Sequence, residues 1–225
     1  MRTVALSVLL LVASGSALAQ LEGISRQDAT AALKAALEKG SLAAVANLGR
    51  VDGFLGNPQV KIPLPESAQR AERAMRRLGM GKYADELIVT MNRAAESAVP
   101  EAKALFIQSA KKMTVQDAKG IIMGSETAGT EYFRRTARDQ LHQRFLPIVE
   151  KATARVQLAQ RYEQFADKAV AVGMLKKEDA DLDEYVTQKA LDGLYLMVAE
   201  EEKKIRKDPI GTGSGIIRKV FGAML

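Results

Sequence analysis

Apolar residues recur every three or four positions along almost the whole chain, the period of a helix with one buried face rather than the alternation of a strand. Ala29, Ala32, Leu33, Ala36 and Leu37 form the first such face, behind a capping pattern at Ser25–Asp28 and before a stop at Gly40. A short helix over Leu42–Leu48 follows. Pro65 suits the first turn of a helix ending near Leu78 and Gly79, because its missing N–H is not needed there. Lys82–Ala98 continues the pattern, and Pro100 opens the next helix, which carries Ala104, Leu105, Ile107 and Met113. Thr114–Asp117 caps a short helix closing near Gly124. From Thr127 the longest run begins, with Phe133, Ala137, Leu141, Phe145, Val149, Ala152 and Val156 on one side; Pro147 inside it predicts a kink or a division. A further helix is expected over about 158–170. Asp181–Glu184 caps another that reaches Lys207, so apolar around Leu191–Val198 that it reads as the buried central helix, with Glu200–Lys207 in solvent. The expectation is an all-α protein of about eight to ten helices in one domain, residues 20–225, with no solenoid repeat.

Two stretches depart from the period. Residues 49–65 hold three glycines and three prolines together with Phe54, Leu55, Val60, Ile62 and Leu64, too broken for a helix and too apolar for a floppy connection. Val60, Ile62 and Leu64 alternate with Lys61 and Pro63, which suits an extended piece. So long an ordered loop reads either as a functional segment or as a belt closing the core. After Pro209 and the glycines of 211–215, Ile216, Ile217, Val220, Phe221, Met224 and Leu225 make an apolar stripe opposite Arg218 and Lys219. That stripe must dock on its own body, on a second copy or on a membrane surface.

The first nineteen residues change the picture most. Arg2 is followed by an apolar run over Val4–Val12 and by small residues ending in Ala17-Leu18-Ala19. This is the pattern of a secretory signal peptide, with cleavage expected after Ala19 and the protein placed in the periplasm. No later stretch approaches spanning length, so the mature chain is expected to carry no transmembrane segment. The chain has 225 residues, 47% apolar content and no Cys. It must therefore hold together by burial, and Cys-based metal sites and thiol catalysis are excluded. The net charge of +6 is densest at Arg70, Arg73, Arg76 and Arg77. With no nucleic-acid-binding module in view, this charge reads as a solvated face or as attraction to anionic phospholipid or cell-wall polymer, and no nucleic-acid partner is expected.

Little in the sequence carries chemistry. His142 is the only His, one turn after Asp139, and a helical di-metal site would need that arrangement twice. It reads as a surface or interhelical residue. Asp179, Asp181 and Asp183 have the spacing of a calcium loop, but Glu184 and Ala190 stand where Gly and a bidentate acid are required, so these acids read as helix caps. Gly211–Gly215 lacks the Lys-Ser/Thr pair of a phosphate loop. No metal, cofactor or catalytic residue is assigned. The segment Met91–Ser97 is more informative. Asn92 and Glu96 share a helix face, Arg93 lies beside them, and small residues around them permit close helix contact. The trio reads as a polar network joining elements or as a ligand-facing cluster.

Six strings stand out together: Asp52–Leu55, Ile62–Glu66, Met91–Glu96, Asp181–Thr187, Lys189–Leu194 and Glu200–Arg206. They resemble the bacterial domain-of-unknown-function family 4197 over about residues 25–222. The resemblance implies an exported, mostly helical, single-domain protein of Gram-negative bacteria and no activity. One departure is Glu126–Phe133, where the family has an Ala-Ala-Thr-Tyr/Phe-like run. Gly129 and Glu131 are extra there, leaving Thr130 and Tyr132 as that turn's candidates.

The binding residues expected are therefore Asn92, Arg93, Glu96, Thr130 and Tyr132. The expected function is a non-enzymatic periplasmic domain binding a lipid or other apolar or amphipathic ligand, or an envelope protein partner. The rivals are an envelope hydrolase using carboxylates such as Glu96 and Asp192 with Arg, and a purely structural or assembly factor. A deep pocket would favour binding, carboxylates facing across a cleft would favour hydrolysis, and a solid core would favour the structural role.

Overall fold

A computed structural model describes residues 26–155, 159 and 181–208; in the second helix, nothing is said of the side chains of Ser67, Arg70, Ala71, Ala74 and Met75. Among the described residues there are seven α-helices and no strand: α1 (Arg26–Leu48), α2 (Glu66–Arg77), α3 (Gly81–Ala98), α4 (Ala102–Lys112), α5 (Val115–Ile122), α6 (Ala128–Thr153) and α7 (Leu182–Lys207). The all-helical class holds. Seven is fewer than the eight to ten expected, partly because Leu42–Leu48 belongs to α1. The helix expected over 158–170, the tail stripe and residues 1–19 lie outside the described residues.

The continuity of α1 corrects the reading of Gly40 as a stop. A Cβ there would stand 3.1 Å from Ile205 Cδ1, so the missing side chain lets α1 approach α7 closely. Pro147 likewise does not end α6. It lies on the exposed side, as does Gln143, whose carbonyl loses its helical partner, while Phe145 and Val149 stay buried. Water can satisfy that carbonyl at no cost to the core. The capping expectations hold where they are described. Thr114 and Asp117 form a reciprocal capping box on α5, and Asp181 accepts from the Glu184 N–H at the start of α7. Gly79, at φ +74°, closes α2 in the left-handed conformation that costs glycine little.

Helix α7 packs against α6, α1 and α3. Its buried positions include Leu191, Leu194, Tyr195, Val198, Glu202 and Ile205, a stripe at three- and four-residue steps. Leu196 is exposed, so α7 keeps a wet face, and its last turns are not wholly in solvent. Glu202 and Ile205 are buried there because Glu202 binds the start of α6. Phe106 lies near the centre of the core against Phe133 and, edge-on, Tyr195, with ring centroids 4.8 and 6.1 Å away.

Where α6 ends, Thr153 donates to the Asp183 carboxylate at the beginning of α7. Burial pushes the Asp183 carboxyl above its ordinary value, the Thr153 bond offsets part of this, and the charges of Asp181 and Glu150 add to the rise. A raised folded value means that the charged form is penalised on folding. The group costs nothing below the ordinary carboxylate range and its full amount once pH exceeds the folded value. Asp183→Asn is expected to be more stable than the natural chain near pH 7, the gap closing toward about pH 3. Urea unfolding at the two pH values checks both the sign and the closure.

Candidate functional site

Residues 49–65 are the belt rather than a floppy loop. Phe54, Val60, Ile62 and Leu64 are buried, and Gly193 on α7 makes room for them, since a Cβ there would lie 2.8 Å from the Phe54 ring. The extended piece suggested by Val60–Leu64 has no partner strand among the described residues. Its partner is a side chain. Asn92 on α3 accepts from the Ile62 N–H at 2.9 Å and donates to the Ile62 carbonyl at 2.9 Å, the two-point contact that a neighbouring strand would make. The second amide hydrogen goes to the Ile88 carbonyl at 2.8 Å.

One turn further, buried Glu96 holds the other end of the belt. Its Oε1 accepts from the Phe54 and Leu55 N–H groups at 3.0 and 3.1 Å, and its Oε2 accepts from Arg93 at 2.6 Å. Arg93 donates its other nitrogen to Asp52 at 2.8 Å, where the backbone turns at φ 65°. Glu96 first and Asp52 second hold the guanidinium protonated, above its ordinary value. The three residues named from Met91–Ser97 are thus brought together, and their bonds run to the belt. Arg93 is 36% exposed, so the buried weight of the network rests on Asn92 and Glu96.

Thr130 and Tyr132 have other partners. Thr130 donates from both its N–H and its hydroxyl to Glu202 at 2.8 Å, and the Gly129 N–H donates to the same carboxylate at 2.9 Å. Arg206 completes this site, donating to Glu202 at 2.8 Å and to the Ile121 carbonyl at 3.0 Å. A carboxylate from α7 therefore caps the positive end of α6. Gly129 is needed there: a Cβ would sit 2.3 Å from Leu37 Cδ2. Tyr132 donates to the Ser109 carbonyl at 2.9 Å beside a cavity of about 60 Å³, and burial followed by the Asp117 charge raises its hydroxyl above the ordinary value.

Sequence reasoning missed Glu202. The signal was available, because it falls in step with Leu191, Leu194, Val198 and Ile205 on the buried stripe. A second unforeseen arrangement joins α6 to α7. His142 meets Glu184 at 2.7 Å, Gln188 donates to Glu184 at 2.6 Å, and Arg138 bonds both Gln188 and Asp192. Burial pushes Glu184 up, but the bonds from Gln188 and His142 outweigh it and leave its carboxyl below the ordinary value. His142 is thus interhelical, its partner being Glu184 rather than Asp139. Among the described residues no three His, Asp or Glu side chains gather as a metal-ligand set.

An open groove of about 550 Å³ lies between α1 and α7. Gly40 and Ile205 are buried in it and Ala43 is half-buried. Lys39, Lys204 and Lys207 stand exposed on its rim, Lys204 bonded to Glu201 at 2.7 Å. No sequence pattern pointed to it, since it exists only where Gly40 meets Ile205.

Comparison with protein families matches residues 23–222 to a family described as "Protein of unknown function (DUF4197)". No curated protein and no solved structure matches the chain.

Proposed function

The chain belongs to the DUF4197 family, whose description assigns no activity, and from that premise we propose a role on its own geometry: a non-enzymatic, exported binding domain that takes an amphipathic ligand in the α1–α7 groove. The groove carries this reading. Its volume lies within the range of about 300–1,000 Å³ usual for small-molecule sites. Its Gly40, Ala43 and Ile205 suit an acyl chain, and its rim, where three lysines outnumber Glu201 and Asp208, suits a carboxylate or phosphate head. No described helix is long and apolar enough to cross a membrane, which fits a domain that meets lipid from outside the bilayer. The pattern of residues 1–19, read as an export signal, supports a periplasmic location for this role.

The hydrolase reading has less support. Both Glu96 oxygens are engaged by the chain itself, and Asp192 lies exposed on α7 with Arg138. They have separate partners and share no described cleft. The structural-factor reading has one observation in its favour, namely that the bonds of Asn92, Glu96, Thr130 and Tyr132 all end within the protein.

Native mass spectrometry of protein purified from its own envelope fraction is expected to show a chain beginning at Gln20 and a bound small amphiphile. A fluorescent fatty-acid probe supplies the site. Ala43→Trp fills the groove and should weaken probe binding at least tenfold while leaving Tm within a few degrees. Absence of both bound mass and probe binding, or binding indifferent to Ala43→Trp, would overturn the ligand reading in favour of the structural one.

A further inference from the structure

The corner between α2 and α3 presents an unusual surface. α2 packs chiefly on α3, which itself packs on α6 and α7. At their junction Leu78 is 76% exposed, Met80 45% and Tyr83 42%, three large apolar side chains within six residues. Single exposed apolar residues are ordinary, but three large ones close together at one helix junction point to an interaction surface. Residues 73–83 contain four basic residues and no acid. Arg76 is spent on the fold: it lies across Gly81 and pairs with Glu72 at 2.9 Å and Asp85 at 2.6 Å, bracing the two helices at a fixed angle. Arg73, Arg77 and Lys82 are exposed and have no ion-pair partner among the described residues. Lys82 lies 5.0 Å from the centre of the Tyr83 ring, which puts a cation directly beside an amphipathic aromatic.

We propose that this corner docks the protein on an anionic phospholipid surface, with Leu78, Met80 and Tyr83 entering the boundary between headgroups and acyl chains while Arg73, Arg77 and Lys82 meet lipid phosphates. The juxtaposition of exposed apolar side chains with bases that have no ion-pair partner among the described residues is what selects a bilayer. A cell-wall polymer offers the anions but no apolar phase for Leu78. A protein partner would be expected to match a shaped, mostly desolvated patch with few charges at its centre. Tyr and Lys or Arg side chains favour the membrane interface because one end is apolar and the other is wet. Electrostatic attraction adds to the apolar contact, as in other peripheral surfaces that lie on a bilayer without crossing it. The surface is separate from the α1–α7 groove and does not depend on the ligand proposed for it.

The test uses the mature chain from Gln20 to Leu225 with vesicles of phosphatidylcholine alone and of phosphatidylcholine mixed with phosphatidylglycerol. Binding is expected to the mixed vesicles and not to the neutral ones. Arg73→Gln with Arg77→Gln should weaken it roughly 25-fold, about fivefold for each charge near the surface. Leu78→Ser should weaken it about tenfold, and circular dichroism should show both variants folded. The protein has no Trp, so Leu78→Trp supplies a single reporter whose emission should shift to the blue on mixed vesicles. Met123→Trp, at a position 77% exposed on another part of the molecule, should not shift. Deleting residues 214–225 should leave vesicle binding intact. Failure of the mixed vesicles to bind would overturn the proposal. So would binding that survives Leu78→Ser, which charge alone would explain, binding unaffected by the arginine variants, or binding lost with the tail.

Discussion

Glu202→Ala is expected to lower stability by about 3–5 kcal/mol, the range for removing one partner of a buried, charged network. The carboxylate accepts from the Gly129 N–H, from the Thr130 N–H and hydroxyl, and from Arg206. Truncation leaves those two backbone donors buried without acceptors at the positive end of α6. Arg206 would retain its bond to the Ile121 carbonyl but lose its counter-charge. For a chain of this size the loss corresponds to a fall of roughly 6–20 °C in Tm. Glu202→Gln should cost less, since an amide oxygen still accepts one backbone bond. Urea and thermal unfolding of the three proteins test the ranking. If Glu202→Ala melted with the natural chain, the α6–α7 junction would owe its order to apolar packing alone.

The belt predicts the second large effect, with Arg93 the mildest of three neighbouring residues. Glu96→Ala strands the Phe54 and Leu55 N–H groups and unpairs Arg93, for a cost of about 3–5 kcal/mol. Asn92→Ala strands the N–H and the carbonyl of Ile62, for about 2–6 kcal/mol at one to three per unsatisfied group. Arg93→Ala should be the mildest, because the side chain is 36% exposed and water replaces its contacts. Equal losses for Arg93→Ala and Glu96→Ala would show that the guanidinium, and not the buried carboxylate, fastens the belt. All three should leave binding in the α1–α7 groove unchanged under conditions where the variants are folded.

Local chemistry made the helices legible: the three- and four-residue period, the Thr114 and Asp181 caps and the Gly79 stop need no knowledge of what lies across the core. Long-range contacts account for the differences. Gly40 has the composition of a stop, yet α1 runs through it because Ile205, distant in sequence, occupies the space a side chain would need. Glu202 carries a charge that favours solvent, and only the free N–H groups of α6 explain its burial. The Asn92–Arg93–Glu96 trio was legible as a polar cluster on one helix face, and both readings of it were open. Its bonding partners Ile62, Phe54 and Asp52, between 30 and 42 residues upstream, were not legible. The α1–α7 groove was illegible for the same reason, being a property of two helices and of neither alone.

The belt also bears on how the protein opens. Its amide groups at Phe54, Leu55 and Ile62 belong to no helix or strand, but each is closed by a side chain rooted in α3. Gly193 lets the same segment lie against α7. Peeling these residues away exposes Phe54 and Ile62, leaves the Glu96 carboxylate in a vacated apolar pocket and uncovers one face of two core helices. Opening this connection should therefore cost well above the opening of an ordinary surface loop. In the cooperative structure of the molecule, the Phe54, Leu55 and Ile62 amides are expected to exchange with α3 and not with the surface.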